Sequence, residues 1–341
     1  MTQLIIPKSP IIINCGDKLN TIDDAYQVTQ KLKEYIYIQQ QVILDFSEIK
    51  YVKPMGDSLF ARELREFVKA RKNLEFQTSA RLPQFSNVKG YIDYIGFFDF
   101  IGLKGNHNKV RTQINEIPAK YLPITKYDFS DFYVLPDDDE IKPFYLIEAQ
   151  AELISRLFTQ DSQPNVLITY IIREILRNCF EHSKSPSYHV WAQYWEADSS
   201  LELVILDDGI GIFENLKIKY PNLRNDDDAI SKALEPGVSR ANFNTPSNKY
   251  DNSGFGLYVI SELAKRYGSF FIGSKTAGLH ITSNNKNKYT IFDGGTLISI
   301  RINNIKNIDY EKEIAEIVSS GEKISLQSEY PTKASKQTLL F

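Results

Sequence analysis

Apolar and polar positions along the chain fall into two successive patterns. Residues 42–46, VILDF, form a short, largely apolar run of strand length. In the following stretch, DSLFARELREFVKAR, apolar side chains recur every three or four residues at Leu59, Phe60, Leu64, Phe67 and Val68, which predicts a helix with that side inward. A second short apolar segment around Leu74 and Phe76, and a helix near YIDYIGFFDFIGL, complete a small α/β unit over residues 1–103. Residues 104–145 contain GNHNK, YLPITKYDF and LPDDDEIKP; they are polar and punctuated by proline, so they read as a connector holding the domain boundary.

From residue 146 the pattern predicts two helices, a hairpin, a long polar segment, a helix and further strands. The helix carrying REILRNCFEHS has two faces. Val166, Leu167, Ile171, Ile175, Cys179 and Phe180 make a buried stripe, while Glu174, Asn178 and His182 stand four apart on another side. Taken alone, such a polar strip needs no function, because a helix beside solvent carries one anyway. YHVWAQYW and LELVIL, joined by EADSS, have the β-branched and aromatic enrichment of paired strands. Residues 311–341 begin with charged helix-like sequence and end in SEYPTKASKQTLLF, which reads as a polar tail unable to build a core.

Composition narrows the classes. A chain of 341 residues that is 42% hydrophobic can form two domains with cores; 24% charged residues and a net charge of -3 indicate neither nucleic acid nor an anionic membrane surface as partner. The start, MTQLIIPKSPIIIN, lacks a basic segment ahead of a long apolar run, and no run of about 18 apolar residues occurs, so a cytoplasmic protein is expected. Cys15 and Cys179 have no Cys-x-x-Cys spacing and support neither a disulfide framework nor a zinc site; Cys179 reads as a small core residue.

Candidate chemistry lies in the C-terminal half. After the strand LELVIL comes DDGIGI, a D-x-G-x-G pattern of Asp207, Gly209 and Gly211, whose glycines allow a tight turn or close backbone approach to a ligand. NSGFGLYVISELAKRYG then places Gly254 and Gly256 ahead of a helix, where unpaired amides and the helix dipole favour an anion. The chain has no G-x-x-x-x-G-K-[ST], and neither glycine pair extends to G-x-G-x-x-G, so the P-loop and dinucleotide motifs are absent.

The order E-x-x-x-N on a helix, D-x-G-x-G after a strand, G-x-G-L before a helix and GGT before a last strand resembles the Bergerat-fold ATPases called GHKL over residues 146–303. The resemblance implies a 146–310 ATP-binding domain, an α/β sandwich with a mixed, largely antiparallel sheet, and ATP with magnesium as its ligands. Asn178 would hold magnesium through its amide oxygen. Glu174 would orient or deprotonate the attacking group. Asp207 would accept from the adenine amine, Gly209 and Gly211 would leave room for the base, and Thr296 would set a hydroxyl beside it. Gly254, Phe255, Gly256 and Leu257 would turn backbone amides toward the phosphates. The polar interval from Phe213 to Ser253, including ALEPGVS, would form a lid, with Arg240 and Lys249 as phosphate contacts. His182, at the helix end, reads as a cap or local hydrogen-bonding group.

The N-terminal unit resembles STAS domains in VILDFSEIKYVKPMG followed by a helix and in the later IGFFDFIGL. STAS domains of anti-anti-sigma factors carry a phosphorylated Ser just before the Gly; Pro54 and Met55 occupy that stretch here. The functions implied are an ATP-driven conformational switch with slow hydrolysis acting on a protein partner, a serine/threonine kinase of the anti-sigma type, or a nucleotide sensor without turnover. Homodimerisation fits each of them. A sensor histidine kinase is disfavoured, because His107, His182, His189 and His280 occupy no upstream phosphoacceptor helix.

Overall fold

The structure is a computed structural model that describes residues 9–103, 119–132, 142–239 and 253–335. The chain divides into two compact units, Met1–Asn115 and Glu116–Phe341.

In the first unit, β1 (Ile11–Asn14), β3 (Val42–Asp45) and β5 (Thr78–Arg81) form a parallel sheet in the order β1-β3-β5, and β2 (Lys18–Leu19) pairs in parallel with β4 (Tyr51–Val52). The helices are α1 (Ile22–Leu32), α2 (Pro54–Asn73), α3 (Ser86–Ile95) and α4 (Phe97–Phe100). Thr21 and Asp24 close a capping box at the start of α1. Pro54 occupies the first turn of α2, where a missing N–H costs nothing. Gly56 is required two residues on, since an added Cβ would lie 2.2 Å from the Leu19 carbonyl oxygen. Leu59, Phe60, Leu64, Phe67 and Val68 are buried as their spacing predicts.

Two details of this unit differ from the sequence reading. The short apolar segment around Leu74 and Phe76 is not itself a regular element; the strand is β5, which begins at Thr78. Arg71 is fully buried near the end of α2 and donates to the carbonyls of Tyr35 (2.6 Å), Ile38 (2.8 Å), Gln40 (2.8 Å) and Gln77 (3.0 Å), so the turn after α2 serves that guanidinium and strand pairing begins at Thr78. The single helix expected near residues 91–103 is two, broken by Gly96 at φ 74°.

The second unit is a sheet of seven strands: β6 (Ala119–Asp128), β7 (Ser187–Trp195), β8 (Ser200–Asp207), β9 (Gly268–Ser274), β10 (Ala277–Thr282), β11 (Lys286–Thr290) and β12 (Thr296–Ile302), in the order β11-β10-β9-β12-β8-β7-β6. Every pairing is antiparallel, so the expected mixed sheet is corrected. β8 and β9 run the same way and are separated by β12, which is why a helical crossover is needed between them.

The helices are α5 (Lys142–Arg156), α6 (Ser162–His182), α7 (Ile212–Leu216), α8 (Asp226–Ala233), α9 (Gly256–Tyr267) and α10 (Tyr310–Ser325). α5 packs on α6, and α9 lies against β9, β10 and β12. One core joins Leu167, Ile171 and Ile175 of α6, Val259 and Leu263 of α9, and alternate residues such as Leu203, Ile205, Ile298 and Ile300 of the sheet.

Both polar segments flanking this unit contain elements of it. Residues 104–145 were expected as a connector, yet 119–128 form the edge strand β6; Pro123 sits at a register shift between Leu122 and Thr125, a place where an edge strand tolerates a missing N–H. Residues 311–341 were expected as a polar tail, yet α10 runs to Ser325 and buries Tyr310, Ile314, Ile317 and Val318. Those positions follow helical spacing, so a mean composition that is polar still yields one apolar stripe.

No helix among the described residues is long and apolar enough to cross a membrane.

Candidate functional site

The ends of α6 and β8, the start of α9 and the start of β12 surround a cleft of about 760 Å³, open solvent included. Asn178, Asp207, Gly211, Gly254, Gly256, Leu257 and Thr296 line it, so seven of the residues singled out in the sequence share one concavity. Glu174, Gly209 and Phe255 do not line it.

Asp207 ends β8 with its carboxylate buried (3% exposed). Its Oδ1 accepts from the Gly209 amide at 2.8 Å and the Thr296 amide at 3.4 Å, and the Cys179 thiol lies 3.7 Å from Oδ2 as a donor. Burial pushes the Asp207 pKa up to about 6; the amides of Gly209 and Thr296 and the thiol pull it down, and the neighbouring charge of Asp208 pushes it up again. Burial, with the Asp207 charge beside it, raises the Cys179 pKa well above the ordinary thiol range, so the sulfur keeps its proton.

The glycines answer to the backbone more than to room for a ligand. A Cβ on Gly209 would lie 2.1 Å from the Ser183 carbonyl oxygen, where the turn after β8 crosses the end of α6. Gly209 therefore packs closely on α6. Gly211 sits at φ 82°, a conformation that a side chain would strain.

Gly254 has φ 73° and its carbonyl accepts from the Gly237 amide at 3.1 Å, which ties a point inside the polar interval to the residue just after it. Gly256 opens α9, whose first amides have no partner within the helix and face an anion-favouring dipole. The Phe255 side chain points away into the core, against Tyr258, leaving only its backbone for the cleft.

Glu174 is buried on α6 and pairs with Arg173 at 3.1 Å; Arg173 also reaches Glu148 at 3.4 Å. Burial alone would lower the Arg173 pKa, but the two carboxylates outweigh it and the pKa is raised, so the guanidinium stays charged. The Glu174 carboxylate abuts the first residue of α9: a Cβ on Gly256 would lie 2.2 Å from its Oε2.

His182 and Ser183 line the cleft as well, and His182 Nε2 is 3.7 Å from Glu181. In the sequence Cys179 reads only as a core residue and nothing singles out Ser274, which is buried and whose Oγ accepts from the Ile212 amide at 2.9 Å. Cys179 had one available signal, its place directly after Asn178; Ser274 had none, since its partners are distant in sequence. Arg240, Lys249 and His107 lie outside the described residues.

Among the described residues no group of three His, Cys, Asp or Glu side chains could hold a metal. The carboxamide of Asn178 lines the cleft and suits magnesium that takes its remaining ligands from phosphate oxygens and water.

No curated protein matches the chain. Residues 149–278, which include Glu174, Asn178, Asp207 and the Gly254–Leu257 turn but not Thr296, match the family model of the histidine kinase-like ATPase domain.

Proposed function

We propose that the second unit binds ATP with magnesium in this cleft and hydrolyses it slowly, and that nucleotide occupancy sets the lid interval and through it a protein partner. The observation that carries the reading is the shared cleft: a buried carboxylate held as an acceptor at one side, and a glycine-flanked helix N-terminus at another. The first fits the donor amine of adenine, and the second fits phosphate.

Within this reading Asn178 would hold magnesium, which would supply positive charge against the phosphates. Asp207 and Thr296 face the base. Glu174, kept in place by Arg173, orients the attacking water so that the γ-phosphoryl group passes to it, leaving ADP and phosphate. The polar interval from Phe213 to Ser253, tied by the Gly237–Gly254 hydrogen bond, is assigned to excluding bulk water.

The first unit takes the partner-binding role in this proposal. Its parallel strands followed by α2 support the likeness to STAS domains, and Pro54 and Met55 ahead of Gly56 leave no hydroxyl in the stretch where such domains are phosphorylated. Transfer to water is favoured for that reason over transfer to a Ser within the chain.

The test is incubation of the purified chain with γ-labelled ATP, alone and with a co-purifying protein. Labelled free phosphate from the chain alone is expected. No free phosphate, together with stoichiometric labelling of Ser or Thr on the added protein, would replace the ATPase reading by a protein kinase.

A further inference from the structure

Val238 and Ser239 form one wall of the cleft, and the C-terminal end of the chain holds that wall from behind. After α10 the backbone folds back along its own last turns: the Thr332 amide donates to Ser325 Oγ at 3.0 Å and the Ala334 amide to Glu322 Oε1 at 3.1 Å. Residues 329–334 are thereby brought against the segment that leads into the wall.

Two contacts join them. The Thr332 hydroxyl donates to the carbonyl of the buried Gly237 at 3.4 Å, and the Gly237 amide in turn donates to Gly254, two residues before the start of α9. The second contact runs through a cation. The Tyr330 ring meets Tyr220 edge-on at 5.6 Å, and the Lys219 ammonium lies 5.5 Å from the Tyr330 centroid while donating to the Ser239 carbonyl at 2.7 Å. α10 reaches the same place: a Cβ on Gly321 would lie 3.1 Å from both Pro236 and Phe255, the neighbours of the two glycines.

We infer that residues 329–334 are a strap that positions Val238 and Ser239, so that docking of the strap raises nucleotide affinity and bound nucleotide in turn holds the strap docked. A wall fixed before the ligand arrives need not be ordered when it binds. The strap itself is held by few bonds near a chain end, so it opens at low cost. This inference rests on the nucleotide reading above and adds a control on that site from outside the cleft. Tyr330 and Thr332 are positioning residues, acting through Lys219 and Gly237.

The experiment titrates ATP with magnesium into the full-length wild type, Thr332→Val, Thr332→Ser and Tyr330→Ala by calorimetry. Thr332→Val keeps the shape and loses the donor. It and Tyr330→Ala are each expected to bind ATP about 3- to 10-fold more weakly, the worth of one neutral contact. Thr332→Ser, which keeps the hydroxyl, is expected to bind as the wild type does. Misfolded chains lower the number of sites titrated, whereas loss of the strap lowers the affinity of the sites that remain. Coupling is reciprocal, so saturating ATP should slow tryptic cleavage after Lys333 in the wild type by the same factor. Thr332→Val and Tyr330→Ala proteins with wild-type affinity, or cleavage that ATP does not change, overturn the inference and leave the nucleotide site standing. A wild type that binds no ATP overturns the inference and the nucleotide reading together.

Discussion

The carboxylate of Glu174 rests against Gly256, so closely that a methyl group on that glycine would lie 2.2 Å from Oε2. The residue proposed to orient water and the first residue of the phosphate-facing helix are therefore one packed unit. Gly256→Ala is expected to displace the carboxylate and strain its pairing with Arg173, since the obstructed atoms belong to the buried Glu174 side chain. Turnover should fall about 10- to 100-fold, the usual cost of shifting a catalytic group by an ångström. Steady-state phosphate release checks this, and an unchanged rate would show that the placement of Glu174 does not matter.

Glu174 and Asn178 stand one turn apart on α6 but are expected to fail differently. Asn178→Ala should lose the magnesium-dependent part of ATP binding. Glu174→Ala should retain ATP and lose turnover. Calorimetry with and without magnesium, paired with phosphate release, separates the two; a Glu174→Ala protein turning over at the wild-type rate contradicts its assigned role.

For Asp207 the pH dependence has a definite sign. Its pKa in the folded chain, about 6, lies above the ordinary 3.8, so the fold favours the protonated form. That contribution is fully present below about pH 3.8 and is lost as pH rises through about 6. Asp207→Asn keeps an acceptor for the amides of Gly209 and Thr296 and does not titrate, so its stability advantage over wild type should grow between pH 4 and 7. The gap should approach about 3 kcal/mol at pH 7 in the absence of nucleotide, from a shift of 6 minus 3.8, or 2.2 units. The same variant should bind ATP more weakly. Parallel denaturant titrations across that pH range decide it, and a gap that shrinks toward pH 7 has the wrong sign.

How much of this site the sequence shows depends on chain distance. Glu174, Asn178, Asp207 and the Gly254–Leu257 turn are legible because each lies in a short local pattern at the edge of a predicted element. Cys179 and Ser274 are not, because what they do depends on partners 28 residues away at Asp207 and 62 and 22 residues away at Ile212 and Thr296. The seven-stranded sheet is only partly legible for a related reason. β6 is polar enough, and carries a proline, to look like linker, and only its pairing with β7 makes it a strand. α10 hides an apolar stripe within a charged composition that its average does not reveal.

Gly237 offers a test of the lid's root. It sits at φ 79°, and a Cβ there would lie 1.9 Å from Thr332 Oγ1, while the next two residues, Val238 and Ser239, line the cleft. Gly237→Ala should cost about 1 to 3 kcal/mol, lowering Tm by roughly 3 to 8 °C, and should weaken ATP binding as the lid root shifts. Thermal scans and nucleotide titration check both effects; a variant with wild-type Tm and affinity would show that this turn carries no strain.

The central claim is that the cleft bounded by Asp207, Asn178 and Gly256 takes ATP. The most direct measurement is calorimetric titration of the purified full chain with ATP and with GTP in the presence of magnesium. One ATP per chain, bound more tightly than GTP and weakened in Asp207→Asn, is the expected result. Absence of ATP binding, or equal affinity for ATP and GTP, would contradict it.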